Sequence, residues 1–178
     1  GIPRAVGILI AITFFCSIAG AIGERNGFPL LSMASLLPGA VWEGQIWRLV
    51  TWIFFEREPI PLIFACLMLF WFGRDLSLVW GPRRFVTIYL GFAAAAGAVT
   101  CLVALWWPTV MGIPYAGAWP VADAMIIAWA MLYPDRQIML YFVLPIGGRM
   151  LIYLTLGGTV LYAIFSGLHS FVPPFSAA

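Results

Sequence analysis

Few side chains in this sequence could carry chemistry, and they are scattered. Asp123 is an acid inside the apolar run 120–133. An ionisable group in such a run is a functional candidate, because taking it out of water is costly. It could bind a polar feature of a client helix or a partner's arginine. The alternatives are an internal pair with Arg48 or Arg57, or a protonated carboxyl bonded to backbone. Asp123 lies about one turn from the end of its run, where the burial cost shrinks. Cys16, Cys66 and Cys101 fall in apolar stretches with no CxxC pair and no neighbouring His or Lys. They read as inert small hydrophobes, since an apolar site disfavours the reactive thiolate. Glu56 and Glu58 stand two residues apart with no histidine beside them. That is not a metal-ligand set, and they read as interface solvation paired with Arg57. The one histidine, His169, falls in the tail and reads as a lone loop or interface residue. A single histidine cannot supply a multi-histidine metal or haem site, so no metal and no cofactor are expected.

The elements that must position these residues are built for lipid. The chain has 178 residues, of which 63% are hydrophobic and only 9% charged. Its mean hydropathy is +1.02. Soluble domains run near 45–50% apolar and about 25% charged. A single buried core cannot absorb that excess, and disorder is excluded by the same composition. The formal charge of +2 and the absence of any basic run give no argument for nucleic acid. The expected fold is an all-α, polytopic membrane bundle in one domain, 1–178. Its spans are placed at about 5–22, 60–73, 85–107, 120–133 and 150–165, with an interfacial loop at 23–58. The first run could also be a secretory signal, but it is long for one and is read as a retained span. The trio Gly73-Arg74-Asp75 is expected to close the second run. The row Ala93-Ala94-Ala95-Ala96-Gly97-Ala98 would let another helix backbone approach closely, which makes Gly97 a packing candidate.

All nine basic residues are arginine. With the start in the cytoplasm, Arg4, Arg74, Arg83, Arg84, Arg136 and Arg149 fall inside, and Arg25, Arg48 and Arg57 outside. That is a modest positive-inside bias. The lack of Lys, with abundant Ala, Gly and Arg, fits a GC-rich bacterial genome. The expected location is therefore a bacterial cytoplasmic (inner) membrane.

The string Gly44-Gln45-Ile46-Trp47-Arg48-Leu49-Val50-Thr51 resembles the Gly-Gln-x-Trp-Arg-Leu-x-Thr segment of the rhomboid superfamily. That superfamily holds intramembrane serine proteases, the non-catalytic derlins and pseudoproteases. Phe72-Gly73-Arg74-Asp75-Leu76 is similar to the end of its second helix. Gly81-Pro82-Arg83-Arg84-Phe85 is similar to the approach to its third. Val143-Leu144-Pro145-Ile146 resembles the stretch between its fourth and fifth. The pieces keep their order from about Trp42 to Tyr153. In this resemblance Trp47 and Arg48 support a membrane-dipping loop. Read from chemistry alone, Trp47 rests at the interface while Arg48 snorkels to a carboxylate or a lipid phosphate.

The resemblance implies a lost active site. Active rhomboids carry a serine in a Gly-x-Ser-Gly turn at the start of the fourth helix, with His and Asn on the second helix and a His on the sixth. Here Gly117-Ala118-Trp119-Pro120 takes the place of that turn, so Trp119 replaces the nucleophile. No serine occurs between Ser77 and Ser166. Pro61 and Ala65 take the His and Asn positions, and neither side chain can donate a hydrogen bond. Trp119 would fill the mouth of the former site with aromatic packing. About five spans are visible, and the sixth helix of the resemblance is either lacking or not covered by this sequence; a bundle lacking it would leave a groove that a partner could fill.

The expected function is therefore non-catalytic: a pseudoprotease or derlin-like member that binds or scaffolds other transmembrane helices, as a client holder or an accessory subunit. Asp123, Trp47, Arg48 and Gly97 are its candidate partner-binding or structural residues. Other membrane proteins and membrane lipids are the expected partners. The rivals are an active intramembrane protease with a relocated nucleophile and, less favoured, a small transporter. A transporter would show more embedded charge and repeat symmetry.

Overall fold

The computed structural model describes residues 3–134, 137–140 and 144–166. The first helix, α1 (Arg4–Arg25), has no internal breaker and rises about 33 Å, enough for a hydrocarbon core of about 30 Å. Its buried residues, Val6, Leu9, Thr13, Ser17, Gly20 and Gly23, recur every three or four positions and so form one face. That face becomes small towards its end, which brings Phe55 and Leu31 against Gly20. Ile8, Phe15 and Ile22 lie on the exposed side, as expected of a lipid-facing surface.

Prolines and positive-φ glycines chop the next segment into short pieces. These are α2 (Leu30–Ala34), α3 (Pro38–Trp42), α4 (Arg48–Thr51) and a 3-10 turn, Trp52–Phe54. Gly44, at φ 102°, makes the turn before α4. None of these pieces is long enough to span, and together they form a cap over one end of the bundle.

The second long helix does not stop where the charged trio suggests. It runs from Pro59 to Trp80 as α5 (Pro59–Met68), a π-helical turn (Leu69–Gly73) and α6 (Arg74–Trp80). Arg74 is exposed, and Asp75 accepts a bond from Trp129 Nε1 at 3.1 Å, so neither charge forces the chain out of the helix. The true break is Gly81, whose φ of 83° only glycine adopts freely. The helix α7 (Pro82–Trp106) begins there with proline at its first position.

Two shorter apolar helices complete the bundle, α8 (Trp119–Leu132) and α9 (Gly148–Ser166), which pack on each other. The first half of α8, Pro120 to Met125, is buried throughout, so α8 is the central helix. At 14 residues it rises about 21 Å, less than the hydrocarbon thickness. Among the described residues, three helices are long and apolar enough to cross on their own: Arg4–Arg25, Pro59–Trp80 and Pro82–Trp106. The protein is a helical membrane bundle. Among the described residues the departure is one antiparallel hairpin, β1 (Gln137–Leu140) and β2 (Leu144–Gly147), with Gln137 opposite Gly147. It occupies the stretch where Pro145 and Gly147-Gly148 interrupt the apolar run.

Candidate functional site

A polar cluster lies under the cap, at the start of α8. The loop before α8 is pinned to the cap by paired backbone bonds between Leu36 and Tyr115, each 2.8 Å. Gly117 N–H donates to the Trp52 carbonyl at 3.0 Å. Gly117 sits at φ 121°, and a Cβ there would come within 2.9 Å of Glu56 Oε2. Only glycine fits both the backbone and the space.

Glu56 is the acid of this cluster. Its Oε1 accepts the Ala118 N–H at 2.7 Å. A carboxylate at that place satisfies one of the free N–H groups at the helix start and meets the positive end of the helix dipole. The Glu56 N–H donates to Ser17 Oγ at 3.0 Å, and Ser17 Oγ donates to the Phe54 carbonyl at 3.2 Å. One carboxylate and one hydroxyl thus tie α1, the cap and α8 together. Burial pushes the Glu56 carboxyl above its usual range, and the Ala118 N–H pulls it part of the way back. The expectation that Glu56 is solvated and paired with Arg57 is corrected. Arg57 Nη2 donates instead to the Pro114 carbonyl at 3.1 Å, while Glu56 turns inward. The sequence carries little signal for this, since Glu56 and Glu58 look alike in a charged loop. Burial also raises the neighbouring Tyr115 hydroxyl to about 12, so it stays neutral.

Pro61 and Ala65 lie on α5, which packs against α8, and Ala65 is buried. Cys66 and Tyr89 fall within range of the Glu56 charge. Tyr89 is buried between the rings of Phe54 and Phe85, and its hydroxyl finds no partner among the described residues. Trp119 does not fill the mouth of this site. It is 54% exposed and joins Trp42, Trp47, Trp106 and Trp107, all exposed at this end. Such a belt is what tryptophan forms at headgroup level.

The other candidates separate. Asp123 is 3% exposed and points at α9, where Thr159 Oγ1 lies 3.5 Å from Oδ2. It pairs with neither Arg48 nor Arg57. Arg48 is 7% exposed and does not snorkel. Its Nη1 donates to the carbonyls of Ser32 (2.6 Å) and Ser35 (2.7 Å), and its Nε to Gln45 Oε1 (2.7 Å). Those carbonyls end α2, so the guanidinium replaces the bonds a short helix cannot make for itself. Trp47 beside it is exposed. Gly97 is buried against α4: a Cβ there would stand 3.2 Å from the Leu49 carbonyl oxygen. The small-residue face of α7 is thus occupied by the protein's own cap. Thr13 and Thr100 bond back to carbonyls one turn earlier, which satisfies hydroxyls inside a span. His169 lies outside the described residues. Among those described, no group of three His, Cys, Asp or Glu could hold a metal ion.

The fold and the site together define an integral membrane protein made of a helical bundle with a polar cap. Residues 7–178 match the family described as eukaryotic integral membrane protein (DUF1751), and the chain belongs to that family. No curated protein matches the chain. The family corrects the expected location: it is eukaryotic, so the bacterial inner membrane drawn from arginine-rich, lysine-free composition does not stand. Base composition biases codons and hence Arg over Lys, but it does not identify a kingdom.

Proposed function

We propose that this protein is a non-catalytic, rhomboid-like membrane protein that holds other transmembrane helices in place. The observation that carries the reading is the 2.7 Å bond from Ala118 N–H to Glu56 Oε1. In the resemblance, the start of α8 is where peptide-bond attack would occur. An attacked carbonyl needs a nucleophile beside a base and free donors for the developing oxyanion. Here the donor is bonded to a carboxylate of the chain itself, which would repel an oxyanion. Pro61 and Ala65 offer no donors across from it. Among the described residues, the polar groups of this region are engaged in holding the fold together.

A bundle with exposed aliphatic faces is suited to packing against other spans, where association comes from close contact and hydrogen bonds. The expected outcome of a cleavage test follows. Purified protein in vesicles, mixed with transmembrane substrates, yields no new fragments by mass spectrometry and takes up no serine-directed phosphonate. Cleavage that disappears on Cys66→Ala or Cys101→Ala would overturn the reading.

A further inference from the structure

We propose that the end of the bundle opposite the cap carries a binding surface for the phosphate headgroup of an anionic phospholipid. The fold brings the segments that carry Arg4, Arg74, Arg83 and Arg84 to the same end of the bundle. Around the position a Cβ of Gly73 would take, Phe85 approaches to 3.1 Å and Val6 to 3.6 Å. Arg74 follows Gly73, Arg84 precedes Phe85, and Arg4 lies two residues before Val6. Three helices therefore meet within one residue or two of an arginine each. Arg149 is exposed in the first turn of α9, beside the end of α8. All five side chains are exposed. Among the described residues, none of them makes a side-chain hydrogen bond or an ion pair. The described acid nearest them, Asp75, accepts from Trp129 Nε1 and is turned towards α8. The cap end is different: Glu24, Glu43, Glu56 and Glu58 stand there against Arg25, Arg48 and Arg57, and Arg48 is buried.

Exposed guanidinium groups at one end of the bundle fit phosphate oxygens with paired N–H donors. The occupant is a lipid rather than a free phosphate because the surface continues into apolar side chains. Ile8 lies one turn beyond Arg4 on the same face of α1 and is exposed, and Ile88, half-buried, lies one turn beyond Arg84 on α7. Trp80, half-buried beside the α6–α7 turn, is a residue of the headgroup level. One molecule with a phosphate and an acyl chain meets both parts of the surface.

The test uses the full chain in bilayer discs of phosphatidylcholine, with and without phosphatidic acid, read by native mass spectrometry. Phosphatidic acid is expected to stay bound where phosphatidylcholine is lost. Removing arginines weakens retention about fivefold per residue, so Arg74→Gln with Arg84→Gln loses roughly 25-fold. Arg25→Gln at the cap end changes nothing, and excess inorganic phosphate does not displace the lipid. Arg4→Gln, away from the α6–α7 turn, serves as a second variant should the first fail to fold. Undiminished retention in the foldable variant, an equal loss in Arg25→Gln, or displacement by inorganic phosphate would each overturn the proposal.

Discussion

Glu56 concentrates the residue-scale argument. Its carboxyl is buried, yet it bonds the first turn of the central helix. Replacing it with Gln keeps an acceptor for Ala118 N–H and removes the charge that burial disfavours. Glu56→Ala removes the acceptor and leaves a buried N–H unmet, at a cost of about 1–2 kcal/mol. Because folding raises the Glu56 pKa, the folded state binds its proton more tightly than the unfolded chain. Its contribution to stability is then fully present below the unfolded value and is lost as pH rises through the folded one. Thermal unfolding in detergent checks this. The midpoint of the wild type rises as pH falls from neutral to mildly acidic, and Glu56→Gln flattens that part of the slope. Arg48 gives a second expectation. Lysine cannot reproduce a fork that reaches two carbonyls and a side-chain amide. Arg48→Lys should lower stability by about 1.5–3 kcal/mol, read as a lower midpoint. An Arg48 that only anchored at the interface would tolerate the change.

The elements show where sequence reasoning reached and where it stopped. The row of small residues in α7 marks a close approach, and the approach is real at Gly97. The partner is the protein's own α4, with the Leu49 backbone 3.2–3.3 Å from the missing Cβ. Gly97→Val should push α4 away and cost about 1–3 kcal/mol. Gly91, exposed with open space around it, should accept alanine without loss. Comparing the two midpoints separates a packing role from a general glycine effect. The long spans were legible because apolar runs and Gly-Pro breaks are local signals. The extension of the second helix through Arg74 and Asp75 was not. It depends on where Asp75 finds Trp129, a contact 54 residues away. Glu56 was illegible for the same reason, since its partner Ala118 lies 62 residues further on. The resemblance implies a supporting role for Arg48 and chemistry alone a snorkelling anchor; its carbonyl partners depend on how α2 folds back.

At the scale of the molecule, three long helices, a buried central helix and a polar cap among the described residues make a frame with apolar flanks. Its hydrogen-bonding groups are mostly consumed inside: Arg48 holds the cap, Glu56 seats α8, and Asp123 lies against Thr159 of α9. What such a frame can offer a neighbour is shape and lipid-facing surface. Membership in a eukaryotic integral membrane family fits that description and replaces the location suggested by composition. Asp123, at 3% exposure, does not present its carboxylate to a client on this arrangement. A partner would instead meet the aliphatic faces of α1 and α7, where Ile8, Ile12, Phe15, Val99 and Leu102 are exposed. The most direct measurement is the native mass of the protein extracted gently from its own membrane. Holding other helices predicts a complex in which this chain and a second membrane protein recur at fixed stoichiometry. A lone chain carrying only lipid, under every extraction mild enough to preserve known membrane complexes, would contradict it.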